Sequence, residues 1–324
     1  MRVAVLGATG AVGRTMLRVL EERDFAADTL VPLASERSNG TRLTWRGRDW
    51  TVHPPSPEAF AGCDVALFSA GAARSREWAP IAAEQGVVVI DNSSAWRTAE
   101  DVPLVVPEVN GRRIRERPRN IIANPNCAAI QLVVALEALR RAAGLRRVVV
   151  TTLQSVSGAG QRGMATLEAE LRGESSADTP FVAPIAHYVL PWIGARGPEG
   201  WTEEELKIRF EVRRILELPE LPVAATCVRV PVRVGHSISA TVELDRPLTL
   251  DEVQQALDHM PGLELDRERD PLPRDVAGTD CVRVGHVRID PDVPSTVHLW
   301  VVGDNLRKGA ATNAVQIAED VLRG

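Results

Sequence analysis

The chain has 324 residues and a formal net charge of −5, because 43 acidic residues outnumber 38 basic ones. At roughly 100–200 residues per domain, this length favours two domains, and the acidic balance argues against the basic face that nucleic-acid binding needs. No apolar run approaches the roughly 18 residues that span a bilayer, and the first apolar stretch is too short for a signal peptide. We therefore expect a cytoplasmic protein that binds neither nucleic acid nor membranes.

The first third of the chain alternates short apolar strands with helices. Strands are predicted at residues 3–6, 30–34, 64–69, 87–91 and 121–123, and helices at 11–22, 74–84 and 128–143. This alternation predicts an α/β domain with a Rossmann-type, doubly wound parallel sheet.

After residue 144 the predicted strands become longer. They lie at 147–156, 223–234, 237–244, 281–289 and 296–302, with helices at 161–171, 203–216 and 250–259. This pattern predicts a second α+β domain on a mostly antiparallel sheet. A final helix at 305–322 is expected to return to the first domain, so we divide the chain into residues 1–126 plus 304–324 and residues 127–303.

A glycine-rich turn follows the first strand. Gly7, Gly10 and Gly13 stand in GATGAVG, between a strand and a helix. In dinucleotide-binding folds such glycines permit the tight turn, the approach of the pyrophosphate and close helix–strand packing, and the helix N-terminus attracts phosphate. The spacing is GxxGxxG rather than GxGxxG, and the alternative is a turn that binds nothing.

The residues after the second strand bear on the choice of cofactor. They read Ser35-Glu36-Arg37-Ser38. An acidic residue at this place selects a free ribose 2′-hydroxyl, whereas an arginine selects a 2′-phosphate. Both residue types are present; Arg37 between two hydroxyls favours NADP, provided that Glu36 points away, and the alternative is a solvated loop.

The chain has four cysteines and no CxxC pair, so no zinc or other metal site is expected. Disulfides are also rare in cytoplasmic proteins. Cys63 precedes a strand, and Cys227 and Cys281 lie in apolar runs, so we expect these three to be buried and structural. Cys127 differs, because Asn126 is a good N-cap and the thiol falls in a first helical turn, which favours the thiolate. Together with the glycine-rich turn, this favours a nicotinamide-dependent oxidoreductase with Cys127 as its nucleophile; the alternative for Cys127 is a structural role.

A nucleophilic cysteine usually works with a base. Among the six histidines, His236 follows Gly235, which suggests a break between two strands and places the ring at the end of a sheet. His298 lies mid-strand and His259 at a helix end. His187 remains an alternative on spacing alone, as does His286.

At these residues the chain resembles the aspartate-semialdehyde dehydrogenases, and the resemblance runs along nearly the whole length. It rests on GATGAVG, IDNSSAWR, VPLVVPEVN, ANPNC, QSVSGAG, EELK, CVRVPVRVGHS and VGDNLRKGAATNA, in the order of that family.

The resemblance implies roles for the matching residues. The implied catalytic residues are Cys127 as acyl-thioester nucleophile, His236 as general acid/base and Gln154 as the group that orients the intermediate. The implied substrate and phosphate ligands are Arg229 for the α-carboxylate, Glu204 for the amine, Arg97 and Lys207 for phosphate, and Asn126. The implied NADP contacts are Gly7, Thr9, Gly10, Ala11, Val12, Ser35, Arg37, Ser38, Ser157, Gly158 and Asn305.

Each role has a structural alternative. Glu204 and Lys207 are spaced i, i+3 and could form an ordinary surface pair. Gln154 could be an exposed strand residue, and Arg97 a loop charge. Arg229 lies in an apolar strand, where a buried guanidinium needs an anion.

The chain also departs from the family pattern. Ala128 and Ala129 follow the cysteine where the family often has hydroxyls, and Phe210 interrupts a stretch that is usually polar. Tyr188 and Trp192 stand where the family often has Asn and Gln. These changes bear on the substrate pocket and on subunit packing.

The resemblance implies that NADPH reduces L-aspartyl-4-phosphate to L-aspartate-4-semialdehyde in lysine (diaminopimelate), threonine and methionine biosynthesis. His236 would take the proton of Cys127, the thiolate would attack the acyl carbon, and hydride would reduce the thioester. A homodimer through the second domain is also implied. The rivals are an N-acetyl-glutamyl-phosphate reductase, an aldehyde dehydrogenase that needs no phosphate, and a silent paralogue acting as a binding module.

Overall fold

The computed structural model describes residues 1–176 and 178–323. The chain divides into two compact units, the first made of Met1–Pro125 with Ala310–Gly324 and the second of Asn126–Gly309. The domain limits expected from sequence include residues 177 and 324, which lie outside the described residues.

The first unit is built on a five-stranded parallel sheet. Its elements up to residue 125 are β1 (Arg2–Leu6), α1 (Ala11–Glu22), β2 (Thr29–Leu33), β3 (Arg42–Trp45), β4 (Arg48–Thr51), α2 (Pro57–Phe60), β5 (Val65–Phe68), α3 (Ala72–Glu84), β6 (Val88–Asp91), α4 (Pro107–Asn110) and β7 (Ile121–Ala123). The sheet order is β2-β1-β5-β6-β7, with every pair parallel. The predicted Rossmann-type sheet is confirmed.

The hairpin of β3 and β4 is not predicted by the sequence pattern. Both strands are only four residues long. Polar and apolar residues alternate in β3 (RLTW), but over four positions only, and β4 (RDWT) shows no alternation. Tertiary contacts hold the hairpin in place. Trp45 is buried in the core of the unit, and its Nε1 donates to the carbonyl of Leu17 at 3.1 Å.

The second unit contains a six-stranded mixed sheet. Its elements are α5 (Cys127–Ala143), β8 (Arg147–Gln154), α6 (Gly160–Leu171), α7 (Glu203–Ile215), β9 (Val223–Arg229), β10 (His236–Glu243), α8 (Leu250–Asp258), β11 (Leu263–Leu265), α9 (Pro273–Val276), β12 (Val282–Ile289) and β13 (Thr296–Gly303). The order is β11-β12-β13-β10-β8-β9. Three of its pairings are antiparallel and two are parallel, which confirms the mostly antiparallel second domain.

The predicted strand at 223–234 is too long. β9 ends at Arg229, and Pro231 lies just beyond it without an N–H for a strand ladder. The carbonyls of Val232 and Arg233 instead accept hydrogen bonds from the backbone that follows β8. Gly235 then adopts φ +96°, and β10 begins at the next residue. The expected break before His236 is confirmed.

The C-terminal helix is shorter than predicted. A five-residue π-helix, Arg307–Ala311, precedes α10 (Thr312–Arg323). Ala314, Val315 and Ile317 are buried in the core of the first unit. The expected return of this helix to the first domain is therefore confirmed.

Within the residues described, no helix combines the length and apolar character needed to cross a membrane. The same part of the chain holds no cluster of three or more His, Cys, Asp or Glu side chains able to bind a metal ion.

The glycine turn between β1 and α1 needs residues without side chains. Gly7 has φ +92°, and a Cβ there would lie 2.4 Å from the carbonyl oxygen of Ser69. A Cβ on Gly13 would lie 2.1 Å from the carbonyl oxygen of Gly7. Helix and turn thus pack backbone to backbone, as the sequence predicts.

We expect Gly13→Ala to destabilise the protein by about 1–3 kcal/mol, because the new methyl group meets backbone that cannot rotate away. Gly111→Ala is the matched control, since Gly111 has φ −52° and open space around its Cβ position. Urea unfolding measures both. Equal stability of the two variants would contradict the packing argument.

Candidate active site

Cys127 is the first residue of α5 and is partly exposed. Asn126 caps the helix, because its Oδ1 accepts hydrogen bonds from the N–H groups of Ala128 at 2.9 Å and Ala129 at 3.3 Å. The thiol thus occupies the helix start that the sequence predicts, where the oriented peptide dipoles favour a thiolate.

The other cysteines have different surroundings. Cys63 and Cys227 are buried, as expected, and burial raises the pKa of Cys227 to about 12. Burial also raises the pKa of Cys63 and of Cys281. Cys281 is partly exposed, so the expectation of burial is wrong there; it directly precedes β12, outside the strand.

His236 meets Cys127 at hydrogen-bonding distance. Its Nε2 lies 3.2 Å from the Sγ atom, and the ring is fully buried at the start of β10. Burial, followed by the nearby charge of Arg229, lowers the pKa of His236 well below 6.5. Both effects favour the neutral form of the imidazole.

The other ring nitrogen of His236 is an acceptor. The backbone N–H of Ser155 donates to Nδ1 at 3.1 Å, and Ser155 Oγ lies 3.0 Å from the same atom. A backbone N–H can only donate. A neutral ring that accepts at Nδ1 carries its proton on Nε2, which points at the sulfur.

Asn305 organises the turn that leads into His236. Its Oδ1 accepts from the N–H of Gly235 and from the hydroxyls of Ser155 and Ser157, each at 3.0 Å. A Cβ on Gly158 would lie 3.5 Å from His236 Cε1. The structure thus gathers the three predicted cofactor contacts of the second unit (Ser157, Gly158 and Asn305) around the histidine.

Glu204 joins two other predicted site residues. Its Oε1 accepts from Gln154 Nε2 at 3.0 Å and from Asn126 Nδ2 at 2.8 Å. Glu204 is 8% exposed and Gln154 is 1% exposed. The surface alternatives for both residues are therefore wrong, because both side chains are buried and hydrogen-bonded to each other.

Glu211 is a residue that the sequence analysis missed. Its Oε2 accepts from the backbone N–H of Asn126 at 2.5 Å, and its side chain is 1% exposed. It lies seven residues after Glu204 on α7, two helical turns along the same face, next to the buried Ile208 and Val212. That spacing is the signal that could have identified it.

Arg229 ends β9 and is 7% exposed. One terminal amino group, NH1, donates to the carbonyl oxygen of Ser155 at 2.7 Å. Burial lowers the pKa of Arg229, while the nearby Glu204 acts in the opposite direction. A buried guanidinium bound to a neutral carbonyl retains a positive charge that an anionic ligand can balance.

Lys207 is less enclosed than Glu204. Its Nζ lies 2.8 Å from Glu203 Oε1 and 3.9 Å from Glu204 Oε2, with 28% of the side chain exposed. Lys207 therefore pairs with Glu203 at i, i+4 rather than with Glu204 at the i, i+3 spacing considered in the sequence, and its ammonium also lies near the buried Glu204 carboxylate.

Arg97 belongs to the first unit and is largely buried. Its Nε donates to the carbonyl of Asn124 at 3.0 Å and its NH2 to the carbonyl of Asn92 at 2.7 Å. Asp91 fixes the same loop by accepting from the Ser93 hydroxyl at 2.6 Å. The guanidinium is thus held by the backbone in one orientation.

A cavity of about 450 Å³ adjoins the glycine turn of the first unit. Gly7, Thr9, Gly10, Ser35 and Glu36 contribute to its wall. Ala11 and Val12 begin α1 directly after the turn. The wall residues combine a helix N-terminus with hydroxyl groups, which suits a phosphate-containing ligand.

Arg37 and Ser38, the two remaining predicted cofactor residues of the first unit, directly follow the cavity-lining residue Glu36 in the sequence. In the described chain, neither Arg37 nor Ser38 is among the residues that line it. Arg37 is exposed. The Ser38 hydroxyl lies 3.4 Å from that of Thr9, which connects it to the glycine turn.

Two family models match the chain. The NAD binding domain of semialdehyde dehydrogenase matches residues 2–117, and the dimerisation domain of semialdehyde dehydrogenase matches residues 136–308. The aspartate-semialdehyde dehydrogenase of Aquifex aeolicus is 48% identical over 99% of this chain and 98% of its own length. That of Bacillus subtilis is 45% identical over 100% and 98%.

The chain belongs to the aspartate-semialdehyde dehydrogenase family. This confirms the resemblance. The first unit is accordingly a nicotinamide-dinucleotide-binding domain.

Solved structures agree with this assignment to the aspartate-semialdehyde dehydrogenases. Aspartate semialdehyde dehydrogenase II of Vibrio cholerae, complexed with ASA, has a TM-score of 0.96 and 48% identity over 99% of this chain and 98% of that one. The Candida albicans enzyme with NADP has a TM-score of 0.78 and 26% identity over 99% and 98%.

The departures from the aspartate-semialdehyde dehydrogenase pattern fall into two groups. Ala128 and Ala129 are fully buried, so they fill space behind the capped helix start. Phe210 and Tyr188 are exposed, and Trp192 stacks with the guanidinium of Arg196 at 4.7 Å. Phe210 and Tyr188 therefore lie on the surface of the second unit, whereas Trp192 is partly buried.

We expect Glu211→Ala to lower the free energy of unfolding by about 1–3 kcal/mol, because the N–H of Asn126 loses a buried acceptor. Glu211→Gln should cost less, since its amide oxygen can still accept. Glu203→Ala is the control on the same helix, where the side chain is 55% exposed. Chemical denaturation that ranks the control with Glu211→Ala would contradict this expectation.

Proposed function

We propose that the protein catalyses the NADPH-dependent reductive dephosphorylation of L-aspartyl-4-phosphate to L-aspartate-4-semialdehyde through a thioester on Cys127. The observation that carries the proposal is the 3.2 Å contact between Cys127 Sγ and His236 Nε2 at a capped helix start, in a chain of this family. The Vibrio cholerae relative complexed with ASA supports this substrate class.

We propose that His236 acts as a hydrogen-bond donor to sulfur rather than as the base that removes the thiol proton. To accept that proton, Nε2 would have to begin unprotonated, with the ring proton on Nδ1. Nδ1 faces the backbone N–H of Ser155 at 3.1 Å, and two N–H groups would then oppose each other. The thiol proton leaves to solvent, and the helix start and Nε2–H stabilise the thiolate.

The steps that follow thiolate formation need no further base. The thiolate attacks the acyl carbon, the carbon–oxygen bond to phosphate breaks, and the departing phosphate gains a proton from water. NADPH, when bound, supplies the hydride that reduces the thioester carbon. The resulting oxyanion collapses to the aldehyde and expels the Cys127 thiolate, while His236 Nε2–H donates to the developing negative charge.

We propose that the buried polar groups of the second unit hold the substrate. Arg229 binds the α-carboxylate, a task that suits a buried guanidinium. Glu204 presents Oε2 to the substrate amine, since Oε1 already accepts from Gln154 and Asn126. Gln154 and Asn126 are thereby oriented toward the acyl group, and Lys207 binds the phosphate.

In the first unit, Arg97 is proposed as a second phosphate ligand. Its hydrogen bonds to two backbone carbonyls fix the guanidinium before substrate binds. A preorganised cation stabilises a leaving phosphate without reorganisation during the reaction.

We propose NADP as the cofactor. Gly7, Thr9, Gly10, Ala11 and Val12 would bind the pyrophosphate at the start of α1, and Ser35, Arg37 and Ser38 the adenosine end. In the second unit, Ser157, Gly158 and Asn305 would contact NADP. The cavity beside the glycine turn supports this assignment, and the Candida albicans relative is described with NADP.

A cytoplasmic homodimer completes the proposal. It is supported by the match of residues 136–308 to a dimerisation domain. We propose that the enzyme acts in the biosynthesis of lysine, through diaminopimelate, and in the biosynthesis of threonine and methionine.

A coupled assay tests the proposed reaction in reverse. With L-aspartate semialdehyde, inorganic phosphate and NADP, we expect NADPH to form, and omission of phosphate should abolish its formation. Cys127→Ala should lose more than about a thousandfold of this rate and still bind NADP. Cys281→Ala, which changes another partly exposed thiol, should keep it. Phosphate-dependent oxidation by Cys127→Ala would refute the thioester, and activity restricted to an N-acetylated substrate would refute the substrate.

The protonation of His236 is measurable directly by ¹⁵N NMR of histidine-labelled protein. We expect a neutral ring with the proton on Nε2 throughout the range from about pH 6 to pH 8, because the pKa of His236 lies well below 6.5. His236→Gln assigns the signal among the six histidines. A proton on Nδ1, or a titration midpoint near neutrality, would restore the base role.

A further inference from the structure

Gln131 is a buried polar residue that the proposed mechanism does not use. It lies in α5 four residues after Cys127, so the two side chains share one face of the helix. Side chains of an α-helix lean toward its N-terminus, which directs Gln131 to the turn that carries the thiol. The side chain is 0% exposed.

The amide of Gln131 joins α5 to the end of β13. Its Nε2 donates to the carbonyl oxygen of Gly303 at 3.2 Å. Gly303 is the residue of β13 that pairs directly with His236 of β10. The thiol of Cys127 and the imidazole are therefore connected twice, once by their own contact and once through this amide and the paired strands.

Two glycines make room for the side chain of Gln131. A Cβ on Gly303 would lie 2.8 Å from Gln131 Cδ. A Cβ on Gly309, which belongs to the π-helix, would lie 3.2 Å from Gln131 Nε2 and 3.0 Å from Cys127 Cβ. The end of β13 and the π-helix therefore both approach the amide at backbone distance, and the amide has little freedom to rotate.

The other end of the same amide is unsatisfied. Among the protein groups of residues 1–176 and 178–323, Gln131 Oε1 has no hydrogen-bond partner. Exchanging the amide oxygen and nitrogen would bring two acceptors together at Gly303. A buried acceptor without a partner costs free energy, and an apolar side chain of similar shape would avoid that cost. Stability alone therefore disfavours an amide here.

Resting on the proposed function, we propose that Gln131 is a positioning residue for the reaction. By tying α5 to the strand opposite the histidine, it holds Cys127 Sγ at hydrogen-bonding distance from His236 Nε2. A displacement of the helix by about 1 Å would break a contact of this length. The thiolate would then lose the Nε2–H donor that stabilises it.

The test compares reactivity and stability in the same proteins. Gln131→Met is flexible enough to fill the same space but has no donor for Gly303. We expect alkylation of Cys127 by iodoacetamide at pH 7, followed by mass spectrometry, to become about tenfold slower. The midpoint of urea unfolding should equal or exceed that of the wild type. Every protein carries Cys281→Ala, so that the two other thiols are buried.

Leu132→Met is the matched control. Leu132 is also a fully buried residue of α5, and exchange of Leu for Met nearly conserves volume. We expect this variant to keep the alkylation rate within about twofold of the wild type. Equal losses of reactivity in Leu132→Met and Gln131→Met would mean that any change in the core of α5 moves the thiol, and the inference would fail.

Kinetics and NMR provide readouts that a general loss of structure would not reproduce. In the coupled assay, kcat of Gln131→Met should fall about tenfold with the KM for NADP unchanged. The ¹⁵N signal of His236 Nε2 should shift, while Nδ1 keeps its hydrogen bond from Ser155. Gly303→Ala should slow alkylation in the same way, because its methyl group displaces the amide.

The outcomes separate this inference from the proposed function. If Gln131→Met is alkylated at the wild-type rate while the wild type forms NADPH in the presence of phosphate, the inference fails and the proposed function stands. If the variant loses reactivity only as far as it loses stability, Gln131 is an ordinary core residue and the inference again fails. If wild-type Cys127 reacts no faster than the thiol of glutathione and no NADPH forms, both fail.

Discussion

The site in the second unit depends on how Asn126 is held. This residue caps α5 with its own Oδ1, while Glu211 binds its backbone N–H and Glu204 binds its side-chain amide. Both carboxylates come from one face of α7 and are buried. A buried carboxylate is stable only when hydrogen bonds satisfy it. The two carboxylates therefore hold Asn126 in place, and the N–H groups of Asn126 in turn satisfy the carboxylates. As a consequence, the first turn of α5, and Cys127 with it, has one position relative to α7.

A second network of buried hydrogen bonds holds His236. Asn305 Oδ1 accepts hydrogen bonds from the Gly235 N–H and from the hydroxyls of Ser155 and Ser157. The N–H of Ser155 in turn donates to Nδ1 of His236. The ring has no freedom to exchange tautomers without breaking a buried hydrogen bond, which costs more than an exposed one. A site built in this way stabilises developing negative charge with fixed dipoles.

The first unit uses backbone contact rather than side-chain networks. Gly7 and Gly13 have no room for a Cβ, because turn, helix and the neighbouring β5 turn approach one another directly. This close approach leaves the N-terminus of α1 open for a phosphate. It also brings the first turn of α3 to the same edge of the sheet, where Arg74 and Glu36 line one cavity.

The sequence by itself determined the features that local chemistry controls. The parallel sheet follows from alternating apolar strands and helices, the turn from its glycines, and the place of Cys127 from the Asn126 cap. Gly235 likewise marked the break before His236. Family motifs indicated the site residues, and the similarity to known relatives established the family.

Tertiary structure alone decided which groups meet across long separations: Glu211 with the N–H of Asn126, Ser155 with His236, and α3 with the glycine turn. It also decided that β9 ends at Arg229 and that Trp45 anchors an unpredicted hairpin. Spacing along a chain reports periodicity and caps, whereas the orientation of a buried polar group depends on partners that only folding brings within hydrogen-bonding distance.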